Sequence, residues 1–384
     1  MTSEWRTIRA ADFIDFNPRL SLKKGDIATK VAMDKLKPFT KKIPETEKAE
    51  FNGGAKFCNG DTVMARITPC LENGKTAYVD MLDDGEIGFG STEFIVMRAK
   101  TGISDPQFVY YTAINPVFRN VAIKSMVGSS GRQRVQQSVL EELELSVPDL
   151  DEQRRIGDFL ARIDEKIALN DRINDNLQQQ AMSLYAEMFL NSSDSNVTSG
   201  TLSDIAVITM GQSPSGSSYN EDGVGEVFYQ GRAEFGFRFP KRRLFTTEPK
   251  RMAKAGDVLL SVRAPVGDLN IAYERCCIGR GLGAIHSKTG HSSFVLYTMF
   301  ALRSQLDVFN GEGTVFGSIN RDALNAIPID IPPVTEIDQF EVAAHPIDEL
   351  IRANYEENCR LEAIRDSLLP KLMSGEIDVS AVQL

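Results

Sequence analysis

The sequence contains few of the residues that build disulfides and metal centres. Its 384 residues include five cysteines and three histidines. The cysteines form no CxxC pair, and His286, His291 and His345 are not spaced with them as zinc ligands. We therefore expect a reducing compartment, no disulfide framework and no structural metal.

Long hydrophobic runs are also missing. No apolar run approaches the roughly 18 residues that a membrane span needs, and the opening MTSEWRTIRA carries charges without an apolar core. No secretory signal is therefore expected, and we predict a cytoplasmic globular protein. A chain of 384 residues is long enough for two or three domains.

The motifs of common nucleotide-dependent and hydrolytic enzymes are absent. GEGTVFGS, residues 311–318, lacks the lysine of a P-loop, and neither GxGxxG nor an Asn-Pro-Pro-aromatic methyltransferase tetrapeptide occurs. Pro148-Asp149 with Asp164-Glu165-Lys166 fits a nuclease pattern superficially, but the second half lies in a predicted helix rather than on a strand. No histidine stands near a serine or cysteine nucleophile motif. The chain is predicted to have no reaction of its own.

One long stretch occurs twice. Residues 140–189 align with 324–373 at a constant shift of 184 without gaps, giving 12 identities in 50. In both copies apolar residues recur with heptad spacing around two central asparagines, which predicts a duplicated amphipathic helix. The seam comprises Ile156, Leu160, Ile163, Ile167, Asn170, Asn174 and Leu177 in the first copy, and Ile347, Ile351, Asn354, Asn358 and Leu361 in the second.

The two copies are predicted to pair within the chain as an antiparallel coiled coil. A buried amide is costly unless it meets another polar group, and an antiparallel pair brings the central asparagines together at the crossing point. The alternative is that the asparagines face solvent on a curved helix. Pro346 stands where the first copy has Arg162, so the second helix is expected to begin or kink near His345. Pro370 and the following MSGEI are expected to end it.

The remaining regions are predicted to be two mixed α/β domains. Residues 1–147 contain the strand-like runs DTVMARI, KTAYVD and IGFGSTEFIVMRA, and a helix over 105–114 that Ser104 opens. Residues 191–332 hold a linker and a second domain, where GDVLLSVRAP (256–265) matches GDTVMARITP (60–69). The long helices are expected within 148–190 and 333–384, the latter with a C-terminal tail. The predicted fold class is α+β, with an approximate two-fold.

The net negative charge comes from the predicted helices and their flanks. The net charge of −10 divides into +1 for residues 1–147, −5 for 148–199, +1 for 200–332 and −7 for 333–384. Acidic helices are poor surfaces for phosphates, so we expect them to face water or protein partners. The neutral-to-basic surface belongs to the two domains.

Side chains suited to base edges and phosphates recur in both domains. Arg can bind guanine, Gln and Asn can bind adenine, and Lys binds phosphates. The candidates in the first domain are Lys35, Lys37, Lys41, Lys42, Arg66, Lys75, Ser129, Arg132, Gln133 and Arg134. Those in the second are Gln212, Ser213, Ser217, Tyr219, Asn220, Gln230, Arg232, Arg238, Lys241, Arg242, Arg243, Arg263 and Asn320. A solvated surface is the competing interpretation for any one of them, and FRFPKRR (237–243) is the strongest group.

Four stretches together carry a resemblance to a known family. They are GQSPSGSSYN with the later QGRAEFGFRFP, VPDLDEQRRIGDFLARIDEKI at the start of the first long helix, and LEAIRDSLLPKLMSGEIDV at the end of the second. With the order domain, helix, domain, helix, the chain resembles over its full length the specificity subunit of Type I restriction–modification enzymes. It departs from the family pattern at Glu336-Ile337, where Glu-Gln is expected, and at Pro346.

The resemblance implies a non-catalytic prokaryotic subunit that binds double-stranded DNA with a bipartite recognition sequence. Each domain would be a target-recognition domain for one half, and the helices would set the unread spacer and dock partner enzymes. Two adenine methyltransferase subunits would bring S-adenosylmethionine, and motor-nuclease subunits would bring ATP and Mg. This chain would bind no cofactor itself.

Two other functions compete with this interpretation. A repeat-built scaffold for protein interactions would also explain acidic helices and a pI near 5.1. A self-contained nuclease or methyltransferase is disfavoured by the missing motifs. Co-purification of a methyltransferase would favour the specificity subunit over the scaffold.

Overall fold

The computed structural model describes residues 5–191, 197–311 and 317–382. The chain forms two compact units. Unit 1 comprises Met1–Asn170 and Glu356–Leu384, and unit 2 comprises Asp171–Tyr355. The units differ from the four predicted sequence segments, because each contains one end of both long helices.

Unit 1 is built on two four-stranded sheets. Its strands are β1 (Arg6–Arg9), β2 (Ile14–Phe16), β3 (Ile27–Val31), β4 (Glu47–Glu50), β5 (Ala55–Phe57), β6 (Thr62–Ala65), β7 (Thr76–Tyr78), β8 (Gly88–Gly90), β9 (Phe94–Ala99) and β10 (Glu144–Val147). Its helices are α1 (Ala10–Phe13), α2 (Pro106–Ile114), α3 (Pro116–Lys124), α4 (Gln137–Glu141) and the first part of α5 (Leu150–Tyr185). The sheet orders are β2-β9-β6-β7 and β4-β3-β8-β5, and β1 pairs with β10.

Unit 2 repeats this plan. Its strands are β11 (Thr198–Thr201), β12 (Ala206–Met210), β13 (Tyr219–Asn220), β14 (Glu226–Tyr229), β15 (Phe245–Thr246), β16 (Met252–Ala253), β17 (Val258–Ser261), β18 (Leu269–Ile271), β19 (Cys276–Ile278), β20 (Leu282–Ser287) and β21 (Pro328–Ile331). Its helices are α6 (Leu202–Ile205), α7 (Ser292–Ala301), α8 (Arg303–Asp307), α9 (Arg321–Asn325) and the first part of α10 (Val334–Met373). The order β12-β20-β17-β18 corresponds to β2-β9-β6-β7, and β11-β21 to β1-β10.

The predicted internal match between the domains is confirmed at β6 and β17. Both strands are central in their four-stranded sheets and fully buried. Each continues into a prolyl bond that is cis, Thr68-Pro69 in unit 1 and Ala264-Pro265 in unit 2. The matched sequences GDTVMARITP and GDVLLSVRAP therefore form the same element in the two units.

The heptad seam packs as predicted within each unit. In unit 1, Asp164 contacts Arg365 and Asn170 contacts Asn358, so the residue numbers run in opposite directions along the two helices. Ile156, Leu160, Ile163, Asn170, Asn174, Ile351 and Asn358 are buried, and Ile167, Leu177, Ile347, Asn354 and Leu361 are half-buried. The antiparallel pairing is confirmed.

The central asparagines bond to each other. Asn170 Nδ2 donates to Asn358 Oδ1 at 2.9 Å in unit 1, and Asn354 Nδ2 donates to Asn174 Oδ1 at 2.8 Å in unit 2. A shift of 184 converts one pair into the other. Asn170 also donates to the carboxylate of Glu357, and with Lys166 this holds the pKa of Glu357 below its ordinary value. The solvent-facing alternative is wrong.

Two local predictions are wrong, the start of the second helix and the cap of α2. The second helix begins at Val334 rather than near His345, continues through Pro346, and ends at Met373, the first residue of the MSGEI stretch that was expected to end it. Pro346 lies on the exposed face, and Val342, whose carbonyl the proline leaves without its helical donor, is 78% exposed, so water can satisfy that carbonyl. Asp105, rather than Ser104, caps α2 by accepting from the Phe108 amide at 3.0 Å.

Disulfides, membrane-spanning helices and metal-ligand clusters were not expected from the sequence. All five cysteines are described, and all five are free thiols. Over residues 5–191, 197–311 and 317–382, no helix is both long and apolar enough to cross a bilayer. The same residues contain no cluster of three or more side chains arranged as metal ligands.

Candidate nucleic-acid interface

In unit 1 two loops join to form the predicted interface. The hairpin loop 66–75 connects β6 to β7, and the glycine-serine loop 127–134 lies beside it. Thr68 N donates to Gln133 O at 3.0 Å, and Val135 N donates to Arg66 O at 2.8 Å. Gln133 N donates to Thr68 Oγ1 at 3.0 Å. These bonds place Arg66, Ser129 and residues 132–134, all predicted from sequence, on one surface.

The side chains of this surface differ in their availability. Arg134 makes a two-pronged ion pair with Glu93 at 2.6–3.0 Å, which lowers the pKa of Glu93. Ser129 and Arg132 are exposed, and no described side chain bonds to them. The Nε of Arg66 is buried without a partner among the described residues. Ser129 and Arg132 are therefore free for a ligand, whereas Arg134 is already neutralised.

The predicted lysines of unit 1 also separate into groups. Lys35 and Lys42 form exposed ion pairs with Glu45 and Asp80. Lys75 donates to the Met33 carbonyl at 2.9 Å. Lys37 is exposed and has no bonding partner within the described part of the chain. Of the lysines predicted to contact DNA in unit 1, Lys37 is the most available.

Unit 2 forms the equivalent pair of loops. Residues 262–268 connect β17 to β18, Ala264 N donates to Gly317 O at 2.9 Å, and Ile319 N donates to Val262 O at 3.0 Å. These bonds correspond to those of Thr68 and Val135 in unit 1. Arg263 lies in this loop and is exposed. Residues 312–316 of the predicted glycine loop lie outside the described residues.

Several candidates in unit 2 have structural roles. Asn320 caps α9 by accepting from Ala323 N at 2.8 Å, Asn220 closes a turn with Val224, and the Tyr219 hydroxyl donates to Pro214 O at 3.1 Å. Ser213 accepts from Arg280 N, and Ser217 bonds to Ser215. Arg232, Arg242 and Arg243 pair with Asp268, Glu274 and Glu234. Gln212, Gln230, Lys241 and Arg263 remain exposed, with side chains that bond to no described residue.

The prediction that FRFPKRR acts as one basic-aromatic group is wrong. Arg238 is 3% exposed, and Phe239 packs against Tyr273 and Tyr355 with ring centroids 5.6 and 4.9 Å away. Lys241, Arg242 and Arg243 are exposed. The stretch therefore has a buried first half and an exposed basic second half, because Arg238 has partners inside unit 2.

The prediction that Lys41 contacts DNA is also wrong. It is 5% exposed and donates to the Tyr111 hydroxyl at 3.3 Å, with its Nζ 5.0–5.5 Å from the ring centroids of Tyr78, Tyr110 and Tyr111. Burial lowers the pKa of Lys41 to about 8, although the nearby Asp164 opposes that shift. A side chain enclosed in this way holds the fold and cannot reach a phosphate.

Lys41 belongs to a buried network centred on Asp164. The Tyr111 hydroxyl donates to Asp164 Oδ2 at 2.6 Å, and Arg365 donates to Asp164 Oδ1 at 2.7 Å. Burial alone would lower the pKa of Arg365, but the charge and hydrogen bonds of Asp164 raise it. The network ties the recognition part of unit 1 to both of its long helices.

Unit 2 has the corresponding network with a different source of positive charge. Tyr297 and Arg238 each donate to Asp348 Oδ1 at 2.9 Å, and Arg238 also donates to Gln178 at 3.1 Å. Asp348 aligns with Asp164, but Ala181 occupies the position of Arg365. The helix supplies the arginine in unit 1 and the recognition part supplies it in unit 2. Sequence reasoning missed this role, although the identity of Asp164 and Asp348 in the repeat was a signal.

Unit 2 has Ile337 where unit 1 has Gln153, and the residues that cap helices α2 and α7 also differ. In unit 1 the buried Gln153 accepts from Asp105 N at 3.0 Å and donates to the Pro148 carbonyl at 3.0 Å. Its equivalent Ile337 packs in the apolar core of unit 2. Glu341 accepts from the amides of Ser293 and Phe294 at 3.1 and 3.0 Å, and so caps α7 as Asp105 caps α2. Unit 2 therefore lacks the hydrogen bonds of Gln153 and has in their place the apolar packing of Ile337 and the cap formed by Glu341.

Comparisons with known proteins agree with this geometry. The family model of the Type I restriction modification DNA specificity domain matches twice, over residues 3–179 and 194–358. One relative is a Methanocaldococcus jannaschii protein whose name describes it as the specificity subunit of the type I restriction enzyme MjaX. It is 28% identical to this chain over 342 residues, which are 83% of this chain and 79% of that protein. The Escherichia coli type I restriction enzyme EcoAI specificity subunit is 35% identical over 138 residues, 36% of this chain and 22% of that protein. The crystal structure of the Type-I restriction-modification system S subunit from M. genitalium has the same fold, with a TM-score of 0.53, 16% identity and 96% of each chain covered.

Proposed function

Because the chain belongs to the Type I restriction–modification DNA specificity family, we propose that each of its two units reads one half of a bipartite double-stranded DNA sequence. As a member of this family it is a specificity subunit of a restriction–modification complex and has no catalytic activity of its own. Its partners are DNA and the modification and restriction subunits of that complex.

The observation that carries the proposal is the pair of equivalent loop surfaces. In each unit a hairpin loop that follows a buried central strand is bonded to a glycine-rich loop, through Thr68 in unit 1 and Ala264 in unit 2. Each surface carries an exposed arginine without a described partner, Arg132 in unit 1 and Arg263 in unit 2, and each unit has a further exposed lysine without one, Lys37 or Lys241. Such side chains can contact phosphates and base edges without breaking an existing ion pair.

The long helices have a separate role in the proposed complex. Their exposed faces carry most of the net negative charge, which disfavours contact with DNA and suits basic protein surfaces. We infer that α5 and α10 set the unread spacer and dock two adenine methyltransferase subunits. S-adenosylmethionine would then act on those subunits, and ATP with Mg on the motor-nuclease subunits, in the cytoplasm of a prokaryote.

The test uses the chain co-purified with its methyltransferase. Sequencing of methylated adenines should reveal one bipartite sequence, and scrambling either half should weaken binding by at least about a hundredfold, since each mismatched base pair costs roughly 1–3 kcal/mol. Equal affinity for random DNA of the same length would contradict the proposal.

An exchange experiment assigns the halves. Replacing residues 200–332 by those of a homologue with a different specificity should change one half of the methylated sequence and leave the other half unchanged. A change in both halves would show that the units do not read independently. The comparisons give no support to the protein-scaffold alternative, which predicts no sequence preference at all.

A further inference from the structure

Phe39 in unit 1 is exposed in a way that the fold does not require. Its side chain is 62% exposed, and its backbone has φ 55, in the left-handed region that bulky side chains rarely adopt. Such a backbone conformation is strained for a bulky side chain and persists where the surrounding structure holds it. The surrounding structure therefore holds Phe39 in place although its apolar ring is exposed and its backbone is strained.

The turn that carries Phe39 is held on both sides. Leu36 and Ile43 are buried, and Lys41 is fixed inside the Asp164 network. Phe39 N donates to Gly74 O at 3.0 Å, and a Cβ at Gly74 would lie 2.6 Å from the Phe39 ring. The ring thus rests against the hairpin loop 66–75, which also carries Arg66 and contacts the loop 127–134.

A cation lies over this ring. The guanidinium of Arg119 lies 5.3 Å from the ring centroid and is held there by the carbonyl of Glu72 at 2.6 Å. Lys37, two residues before Phe39 in the chain, is exposed and without a described partner. An apolar ring with a cation beside it suits a duplex, because phosphates flank the base stack.

Unit 2 also exposes an aromatic ring next to its buried cation. Phe237 is 47% exposed and directly precedes Arg238, the counterpart of Lys41 in the buried network. Asn270 fixes the preceding turn by accepting from Gly236 N at 3.2 Å and donating to Gly236 O at 2.9 Å. Two different sequences, KLKPFTKK and EFGFRFPK, therefore expose a phenylalanine beside the buried anchor.

Building on the proposed DNA-reading function, we propose that Phe39 and Phe237 are wedges that enter the base stack, one in each half-site. Each ring would partly unstack one base step, and the buried Lys41 or Arg238 network would hold the turn rigid while it does so. The neighbouring cations would bind the adjacent phosphates. This role adds an unstacking contribution to recognition, distinct from hydrogen bonds to base edges.

The experiment uses the complex with its methyltransferase and duplexes carrying 2-aminopurine at successive positions of each half-site. The wild-type complex should enhance fluorescence at one position per half other than the adenine that the methyltransferase itself takes out of the stack. Phe39→Asn, which tolerates the left-handed backbone but removes the ring, should abolish the enhancement in one half only and weaken specific binding about tenfold to a hundredfold. Phe237→Ala should do the same in the other half, and Phe39→Trp should restore the signal.

Controls separate this inference from the proposed function. Ile27→Ala removes another exposed apolar side chain of unit 1, 69% exposed, and should change neither signal nor affinity. Wild-type signal and affinity in Phe39→Asn would overturn the wedge alone. Loss of the methyltransferase from the purified Phe39→Asn complex would identify a protein contact and also overturn it. A wild-type complex that fails to distinguish its methylated sequence from random DNA would overturn both proposals.

Discussion

Lys41 and Arg238 occupy equivalent buried positions but differ in chemistry. Each contacts a tyrosine hydroxyl that bonds to an aspartate of the same unit, the buried Asp164 or the half-buried Asp348. A lysine can lose its proton when burial disfavours the charge, whereas a guanidinium keeps its charge in proteins. The two units are therefore expected to respond differently to pH.

Replacement of Lys41 by Met should reveal this difference. The pKa of Lys41 is about 8 in the folded chain and ordinarily 10.5. Between these values the unfolded chain binds more protons, so the stability of wild-type unit 1 relative to Lys41→Met should rise with pH, by up to about 1.4 kcal/mol per pH unit. Urea unfolding from pH 7 to 9.5 tests this, followed by the fluorescence of Trp5, the only tryptophan, which lies in unit 1.

The matched control is Arg238→Met in unit 2. Its effect, followed by hydrogen exchange in that unit, should be independent of pH over the same range, because the arginine stays charged. A pH-independent difference for Lys41→Met would show that Lys41 is charged in the fold throughout. Tyr78, whose pKa burial raises to about 12, destabilises the fold only above pH 10 and does not disturb this window.

At the scale of elements, the asparagine pairs illustrate how a polar contact fixes a helix register. Asn170 is fully buried, and its Oδ1 has no partner among the described residues. Its Nδ2 bonds to Asn358 and Glu357. A one-residue slip of the helices would bury these amides against apolar side chains, so the layer permits one alignment.

A double-mutant cycle on Asn170 and Asn358 tests this role. Asn358→Leu alone should destabilise unit 1 by about 1–3 kcal/mol, because the Asn170 amide loses a buried partner. Asn170→Leu with Asn358→Leu should recover most of that loss while weakening the preference for one alignment. Denaturant unfolding measures the cycle, and the Asn174 and Asn354 pair in unit 2 supplies a matched repeat. Additive effects of the two single changes would contradict a direct bond between the amides.

At the scale of the whole molecule, the division of charge reconciles a net charge of −10 with DNA binding. The regions outside the long helices carry +1 each, and the acidity belongs to the helices and their flanks. Affinity for DNA then depends on a limited number of local cations. Such binding falls steeply with salt, because each phosphate contact releases counterions.

Lys241→Ala should reduce the salt dependence of DNA binding. Loss of one phosphate contact lowers the slope of log affinity against log salt concentration by about one, and weakens specific and random DNA by a similar factor. Arg242→Ala is the neighbouring control and should change the slope less, because Glu274 already neutralises Arg242. Fluorescence anisotropy titrations at several salt concentrations measure both, and an unchanged slope for Lys241→Ala would remove it from the interface.

Much of this protein could be predicted from local sequence pattern. Two central strands, both long helices, the antiparallel seam and the asparagine layer follow from periodicity and from the shift of 184. The start of the second helix was mispredicted at Pro346, because a proline on an exposed helical face costs less than one inside a core. The sequence shows that a proline is present, but which face of the helix is buried depends on tertiary packing.

The duplication, the register of the helices and the family can be read from the amino-acid sequence alone, because each depends on residues at fixed spacings along the chain. The folded chain was needed to show that Lys41 and Arg238 are buried, that Asn320 is a helix cap, and that Phe39 is exposed. From sequence alone, the basic residues that become buried against distant tyrosines and aspartates cannot be distinguished from neighbouring basic residues that stay exposed. Burial is set by contacts between segments far apart in the chain, and local spacing carries no record of those contacts.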